Sequence, residues 1–171
     1  AASYGLADTG YTSQAVFFDY DRDGDLDVYL ANYLFNNSNL SANYVVPKDK
    51  SGNSPANDRL YQNQGDSMQL GHPFFKDVSI AAGIKEDGYG LGVSVSDFNG
   101  DGWPDIYVAD DFISNDDLWL NNRNGTFTNC IDKSLRHQSY SSMGVDAADL
   151  NNDGLPDIVT LDMMPEYNER K

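Results

Sequence analysis

One nine-residue acidic pattern occurs three times along the chain, and this repeat limits what the chain can fold into more than any other feature. The copies occupy residues 19–27, 97–105 and 149–157, so their first residues are 78 and 52 positions apart. The alignment extends without gaps over residues 17–29, 95–107 and 147–159. A chain of 171 residues built from such similar units is expected to form a solenoid, a propeller or another array of packed units.

The similarity extends beyond the three acidic loops. Residues 57–61 match 115–119, and residues 74–78 resemble 126–130. The first interval is longer mainly because of extra material at 34–56 and 67–73. The segment 34–56 is rich in Asn, Ser, Pro and Gly and predicts a surface loop, which is either an insertion without function or a binding loop.

Each unit is predicted to contain four short strands, because β-branched and aromatic residues recur between turn signals and no sustained helical period is present. The predicted strands are 14–18, 28–31, near 60–63 and near 74–78; 92–96, 106–109, near 118–121 and near 127–131; and 144–148 with 158–161. A short helical turn is predicted at 80–84 or 132–136. Four strands in about 50 residues indicate an all-β fold, a partial β-propeller of four-stranded antiparallel blades. One segment, 1–171, would hold about two and a half blades, at about 11–82, 89–134 and an incomplete 141–171.

The acidic loops have the residue types that hold calcium. Positions 1, 3 and 5 are Asp or Asn, position 6 is Gly, and position 9 is Asp. The predicted side-chain ligands are Asp19, Asp21, Asp23, Asp27; Asp97, Asn99, Asp101, Asp105; and Asp149, Asn151, Asp153, Asp157. The predicted backbone carbonyl ligands, at position 7, are those of Asp25, Trp103 and Leu155. Because Ca²⁺ takes six to eight hard oxygens and Gly permits the sharp turn, up to three structural calcium ions are predicted.

Other interpretations of the loops fit less well. Without a cation, the four carboxylates of the first loop would repel one another, so a plain solvated turn explains the threefold pattern poorly. Magnesium demands near-octahedral geometry and retains water, and a transition metal would favour His or Cys ligands, which the loops lack. An EF-hand needs Glu at position 12, where this chain has Leu30, Val108 and Thr160.

At these residues the chain resembles the FG-GAP/VCBS repeats of integrin-α-like β-propellers. The phrases at 5–6, 58–61 and 125–128 resemble the bacterial branch that is often joined to an ASPIC/UnbV region, whereas the phrase that names the repeat is degraded here. The resemblance implies one Ca²⁺ per loop, bound at positions 1, 3, 5, 7 and 9 between the first two strands of a blade. It also implies an extracellular, periplasmic or cell-surface location and a scaffolding, adhesive or ligand-binding role. Since a propeller typically has four to eight blades, we expect the chain to be part of a longer protein.

Charge restricts the partners. The chain has 11 Lys+Arg against 27 Asp+Glu, a formal net charge of -16, so we expect no binding to nucleic acid. No apolar run approaches the roughly 20 residues that span a bilayer, so no membrane insertion is expected. The chain starts at Ala1 without a signal peptide, as expected for a mature or excised fragment. The expected partners are calcium and a protein or glycan ligand.

No catalytic residues are predicted. His72 and His137, the two histidines, fall in predicted loops. The Asp pairs at 110–111 and 116–117 are expected to hydrogen-bond turns, with contact to a ligand as the alternative. Two further hypotheses stay open: the chain is the propeller part of a carbohydrate-active enzyme, or it is an adhesion module that binds a protein partner through the insertion at 34–56.

Overall fold

Ten short strands form three antiparallel sheets in the computed structural model, which describes residues 1–35, 47–111, 115–139 and 141–163. The first sheet contains β1 (Thr12–Phe18), β2 (Asp27–Asn32), β3 (Arg59–Asn63) and β4 (Phe75–Asp77). The second contains β5 (Gly90–Ser96), β6 (Asp105–Asp110), β7 (Asp117–Asn121) and β8 (Phe127–Asn129). The third pairs β9 (Ser142–Ala148) with β10 (Asp157–Asp162). Each sheet follows the order of the chain, and the predicted all-β class is confirmed.

The three sheets share one register at the end of their first two strands. Phe18 of β1 pairs with Asp27 of β2, and Ser96 of β5 pairs in the same way with Asp105 of β6. In the third sheet Ala148 faces Asp157. Every acidic loop therefore connects the first and second strands of a sheet, as the sequence predicted, and its position-9 aspartate is the first residue of the second strand.

The fourth strands are shorter than predicted because the chain turns at once into a helical turn. α1 (Ser79–Ala82) follows β4, and α2 (Ile131–Ser134) follows β8, so both of the predicted alternatives occur, each starting one residue earlier. α1 ends at Gly83, whose φ of 89° is in the left-handed region that favours glycine. A short 3-10 turn at Ala2–Tyr4 precedes β1.

The main core lies between the first and second sheets. Tyr29 and Leu60 of the first sheet pack in one buried cluster with Ile106, Val108 and Trp119 of the second. Each fully buried side chain of this kind stabilises the fold by about 1.5–3 kcal/mol. The aromatic residues Tyr107 and Trp119 are buried in such clusters.

A second apolar cluster joins the second and third sheets. Tyr107, Leu118 and Ile131 form its buried part, and Val145 and Ile158 of the third sheet pack against it. The first strands approach closely here, since a Cβ at Gly92 would lie 2.9 Å from Cα of Gly144. The small residues Gly92 and Gly144 therefore permit the close approach of β5 and β9.

Part of the insertion at 34–56 and the chain end near 168–171 lie outside the described residues. Within the described part, none of the helices is long and apolar enough to cross a membrane. The division of the chain into units at 11–82, 89–134 and 141–171 stays a prediction.

Candidate metal centres

The first acidic position of each loop accepts the same pair of backbone hydrogen bonds. Asp19 accepts the N–H groups of Asp23 and Gly24, both at 3.1 Å. The equivalent bonds to Asp97 and Asp149 come from the residues at positions 5 and 6 of their own loops, at 2.6–3.0 Å. This bonding curls the loop around its first carboxylate, and all three loops share it.

The residues at positions 3 and 5 continue this framework. Asn99 and Asn151 each accept the position-5 N–H at 2.9 Å, and Asp21 accepts the same group of its loop at 3.4 Å. The position-5 carboxylate then accepts the N–H of position 7 at 2.8–2.9 Å, which is the bond made by Asp23, Asp101 and Asp153. The predicted ligand residues thus organise the backbone of their own loops.

The loops turn at two backbone positions with positive φ. Position 6 is Gly24, Gly102 or Gly154, with φ of 95°, 88° and 87°. Position 4 is also left-handed, although only one loop has glycine there: φ is 61° at Arg22, 70° at Gly100 and 63° at Asn152. The Gly at position 6 therefore has the role that the sequence predicted, and position 4 is a second requirement that the sequence did not reveal.

The position-9 aspartate is held from two directions. Oδ2 of Asp27 accepts the N–H of Tyr20 within the loop at 3.2 Å, and Oδ1 accepts the N–H of Asn63 at the end of β3 at 2.8 Å. Asp105 repeats both bonds, with Phe98 at 3.0 Å and with Asn121 of β7 at 2.8 Å. Sequence reasoning missed Asn63 and Asn121, although both third strands end in Asn.

In the third loop, a backbone N–H donates to only one oxygen of the position-9 aspartate. Oδ2 of Asp157 accepts the N–H of Leu150 at 2.9 Å, whereas its Oδ1 accepts a side-chain N–H of Asn151 at 3.4 Å. Asp149, Asn151, Asp153 and Leu155 are exposed, and Asp157 is half-buried. The third loop thus has the same internal hydrogen bonds as the other two, but it is more exposed and its position-9 aspartate lacks the second backbone donor.

Three carboxylates of the first loop converge. Asp19, Asp21 and Asp27 each place one oxygen within 4.8 Å of the other two, and Asp27 is fully buried. Two oxygens on opposite sides of a calcium ion are separated by about 4.6–5.2 Å, since each Ca–O bond is about 2.3–2.6 Å. The spacing and the all-oxygen donor set therefore fit a hard divalent cation. Asp23 and Asp25 do not belong to this group; both are exposed.

Burial and neighbouring charges favour the protonated form of one carboxyl in the first cluster. Burial raises the pKa of Asp27 to about 7, nearby Asp21 and Asp23 add to the increase, and hydrogen bonds from Asn63 and Tyr20 oppose it. Burial likewise raises the pKa of Asp105. A cation in the first cluster would replace the proton and remove the repulsion between the carboxylates.

A second group of buried acids lies outside the loops. Lys48, from the insertion, contacts Oδ2 of Asp110 at 2.5 Å and Oδ1 of Asp117 at 2.8 Å. Asp116 accepts the hydroxyl of Tyr107 at 2.6 Å. Asp110, Asp116 and Asp117 therefore have partners within the protein, and these include a lysine and a tyrosine hydroxyl where the sequence predicted hydrogen bonds to turns.

A cleft of about 470 Å³ lies between the second and third sheets. Phe98, Tyr107 and Leu118 line it, and their counterparts in the first sheet, Tyr20, Tyr29 and Leu60, are covered by side chains of β7 and β8. The described third sheet contains no counterparts of these two strands. The cleft therefore lies at the position that β7 and β8 cover in the first sheet, and it is not taken as a sign of a ligand.

Comparison with known proteins identifies the repeat. Residues 97–160, which run from the start of the second loop into β10, match the family model of the FG-GAP-like repeat. The resemblance predicted from the acidic loops is confirmed over these residues. No curated protein matches the chain.

Proposed function

We propose that this chain is a calcium-stabilised segment of a β-propeller. Two four-stranded antiparallel sheets and one two-stranded sheet pack in succession, and each acidic loop connects a first strand to a second. The observation that carries the proposal is the cluster of Asp19, Asp21 and Asp27 oxygens within 4.8 Å, on a loop framework that recurs in the other two sheets.

Calcium is the cation that best fits the donor chemistry. All three loops offer carboxylate and backbone oxygens, the second and third add an Asn amide oxygen, and none contains His or Cys. Magnesium would require shorter bonds of about 2.0–2.1 Å and a stricter octahedron. We therefore propose one structural Ca²⁺ in each loop, with the predicted side-chain and position-7 carbonyl ligands.

The ion would supply positive charge between strands. Asp27 and Asp105 bond the third strand of their sheet, so an ion bound to either carboxylate would hold together three strands. Sites of this type in extracellular modules bind at roughly 10⁻⁴–10⁻³ M, a range that is filled outside cells. We accordingly propose that the chain serves a secreted or surface protein as a scaffold, adhesive or ligand-binding module without catalysis of its own, and that it is related to the ASPIC/UnbV-associated branch.

Titration of the chelator-treated chain with calcium tests the proposal. Calorimetry should detect up to three ions, and saturation should raise the melting temperature, because an ion that binds only the folded state stabilises it by RT ln(1+[L]/Kd). Magnesium at equal concentration should raise the melting temperature less. No heat of binding and an unchanged melting temperature in millimolar calcium would contradict the proposal.

A screen for glycosidic activity on the full-length protein separates the enzyme alternative. Activity that survives complete removal of calcium and requires residues of this chain would replace the scaffold proposal. Binding of a protein or glycan without turnover would support it.

A further inference from the structure

A side chain of the first acidic loop contacts the second loop directly. Arg22, at position 4 of the first loop, donates a hydrogen bond from its guanidinium to the backbone carbonyl of Gly102 in the second loop. The same guanidinium lies over the ring of Trp103, 5.0 Å from its centroid. Arg22 thus holds the residues at positions 6 and 7 of the neighbouring loop, and position 7 is where the second site takes its backbone ligand.

Arg22 occupies a backbone conformation that argues for this contact. Its φ of 61° is unfavourable for a side chain without a local polar group, whereas the matching positions hold Gly100 and Asn152, which tolerate it. An arginine at this φ costs about 1 kcal/mol of backbone strain. The turn of the first loop alone does not require this cost, because glycine or asparagine would form the same turn. The contacts that Arg22 makes with Gly102 and Trp103 of the second loop offset this strain.

A second connection runs parallel to the first. The side-chain amide of Asn121 donates to the carbonyl of Tyr20 in the first loop at 2.9 Å. The backbone N–H of Asn121 donates to Oδ1 of Asp105 in the second loop at 2.8 Å. One residue of β7 therefore contacts both loops, and it is buried.

We propose that the first and second loops bind calcium cooperatively, with Arg22 as the main link between them. This inference rests on the proposed calcium sites and adds their coupling. An ion in the first loop orders position 4 and with it the arginine, which then fixes the Gly102–Trp103 peptide before the second ion arrives. The second ion then binds more tightly, because the Gly102–Trp103 peptide is already ordered. By thermodynamic reciprocity, an ion in the second loop raises the affinity of the first loop by the same factor.

The third loop supplies an internal comparison. The residue that would extend from the second loop toward the third is Gly100, which has no side chain to make such a bridge. The third loop also has Leu155 in place of Trp103, and that leucine is exposed. Coupling by this route is therefore confined to the first two loops.

Terbium luminescence tests the coupling, because the metal in the second loop is sensitised through Trp103 when only tryptophan is excited. The first loop is disabled with Asp21→Asn and Asp27→Asn in one variant, and the luminescence midpoint of the second loop is compared with that of the wild type. We expect terbium affinity of the second loop to fall about fivefold. Because Trp103 also lies beside Arg22 of the first loop, the signal is assigned in the variant whose first loop is disabled, where its loss on Trp103→Phe identifies the second loop.

The same comparison is then made with Arg22→Asn in both backgrounds. Asparagine accepts the left-handed backbone of position 4, as Asn152 does in the third loop, so the variant should fold. We expect disabling the first loop to change the second-loop affinity by less than about twofold in this background. Lys76→Ala, which removes an exposed positive charge from β4, should leave the full effect intact.

Two results overturn the inference in distinguishable ways. If calorimetry shows calcium in both loops but disabling the first leaves the second unchanged, the coupling is wrong. If Arg22→Asn leaves the coupling unchanged, Arg22 is not the link. The proposed function stands in both cases. If neither loop binds calcium or terbium, the proposed function fails and the coupling fails with it.

Discussion

The backbone N–H of Asn63 donates a 2.8 Å hydrogen bond to Oδ1 of Asp27, and Asn121 makes the same bond to Asp105 in the next sheet. In both sheets the last acid of the loop is therefore fastened to the third strand as well as to the loop. Because the carboxylate proposed to bind the ion also bonds the third strand, we expect ion binding and formation of the sheet to depend on each other.

Asp27→Asn is expected to weaken calcium binding at the first loop at least tenfold, because it removes one of three converging charges and a buried ligand oxygen. Asp25→Asn is the matched control, since the Asp25 side chain is exposed and does not belong to the converging group. Calorimetric titration of each variant provides the measurement. Equal affinities for the two variants would show that the cluster is not the binding site.

Asp105→Asn is expected to lower the free energy of unfolding by about 1–3 kcal/mol even in chelator, because a buried amide would face the two N–H donors of Phe98 and Asn121. Asp157→Asn, at the same position of the third loop, where the aspartate is only half-buried, is expected to cost less than about 1 kcal/mol. Urea unfolding in chelator measures both without the contribution of calcium. If Asp157→Asn lowered the free energy of unfolding more than Asp105→Asn, the second backbone hydrogen bond to Asp105 would not be the source of the difference.

The acidic loops and the strands beside them could be predicted from sequence because their determinants are local. Gly24 at position 6 and the alternation of acids fix the loop, and the apolar residues on either side fix β1 and β2. Arg22 was not predicted to bridge two loops, since its partner Gly102 is 80 residues away and only packing of the sheets brings them together.

The partners of Lys48 could not be predicted from sequence either. The contact with Asp110 and Asp117 joins an insertion of the first unit to acids 62 and 69 residues later, and no spacing rule connects them. Asn63 and Asn121 are a different case. Aligning the two third strands places an Asn at the end of each, so the signal was present but its role required the register with Asp27 and Asp105.

Lys48→Met is expected to lower the free energy of unfolding by about 3–5 kcal/mol, because two buried carboxylates lose their shared cation. Lys50→Met is the control from the same segment. The ammonium of Lys50 contacts Glu86, but its side chain is 67% exposed, so its loss should cost less than about 1 kcal/mol. Urea unfolding at saturating calcium checks the difference. Similar small losses for both variants would mean that the Lys48 cluster does not fasten the insertion to the second sheet.

Stability of the calcium-free chain is expected to fall as pH rises from about 4 to about 7. Burial raises the pKa of Asp58 to about 7, and the charge of Asp117 adds to the increase, while hydrogen bonds from Asn32 and Tyr29 and the charge of Lys48 oppose it. The unfolded carboxyl has a pKa of about 3.9, so the folded state holds more protons in this range. The stabilisation is therefore complete below about pH 4 and is lost as pH rises through about 7.

Asp58→Asn isolates this contribution. The asparagine mimics the protonated acid, because its oxygen can accept the N–H of Asn32 while its amide donates to the hydroxyl of Tyr29. The variant should gain stability relative to the wild type as pH rises, by at most about 1.4 kcal/mol per pH unit. Urea unfolding in chelator between those limits gives the slope, and Asp146→Asn controls for the loss of one exposed negative charge. If the wild type and Asp58→Asn have parallel pH profiles, the Asp58 carboxyl is ionised in the fold and its burial does not govern this pH dependence.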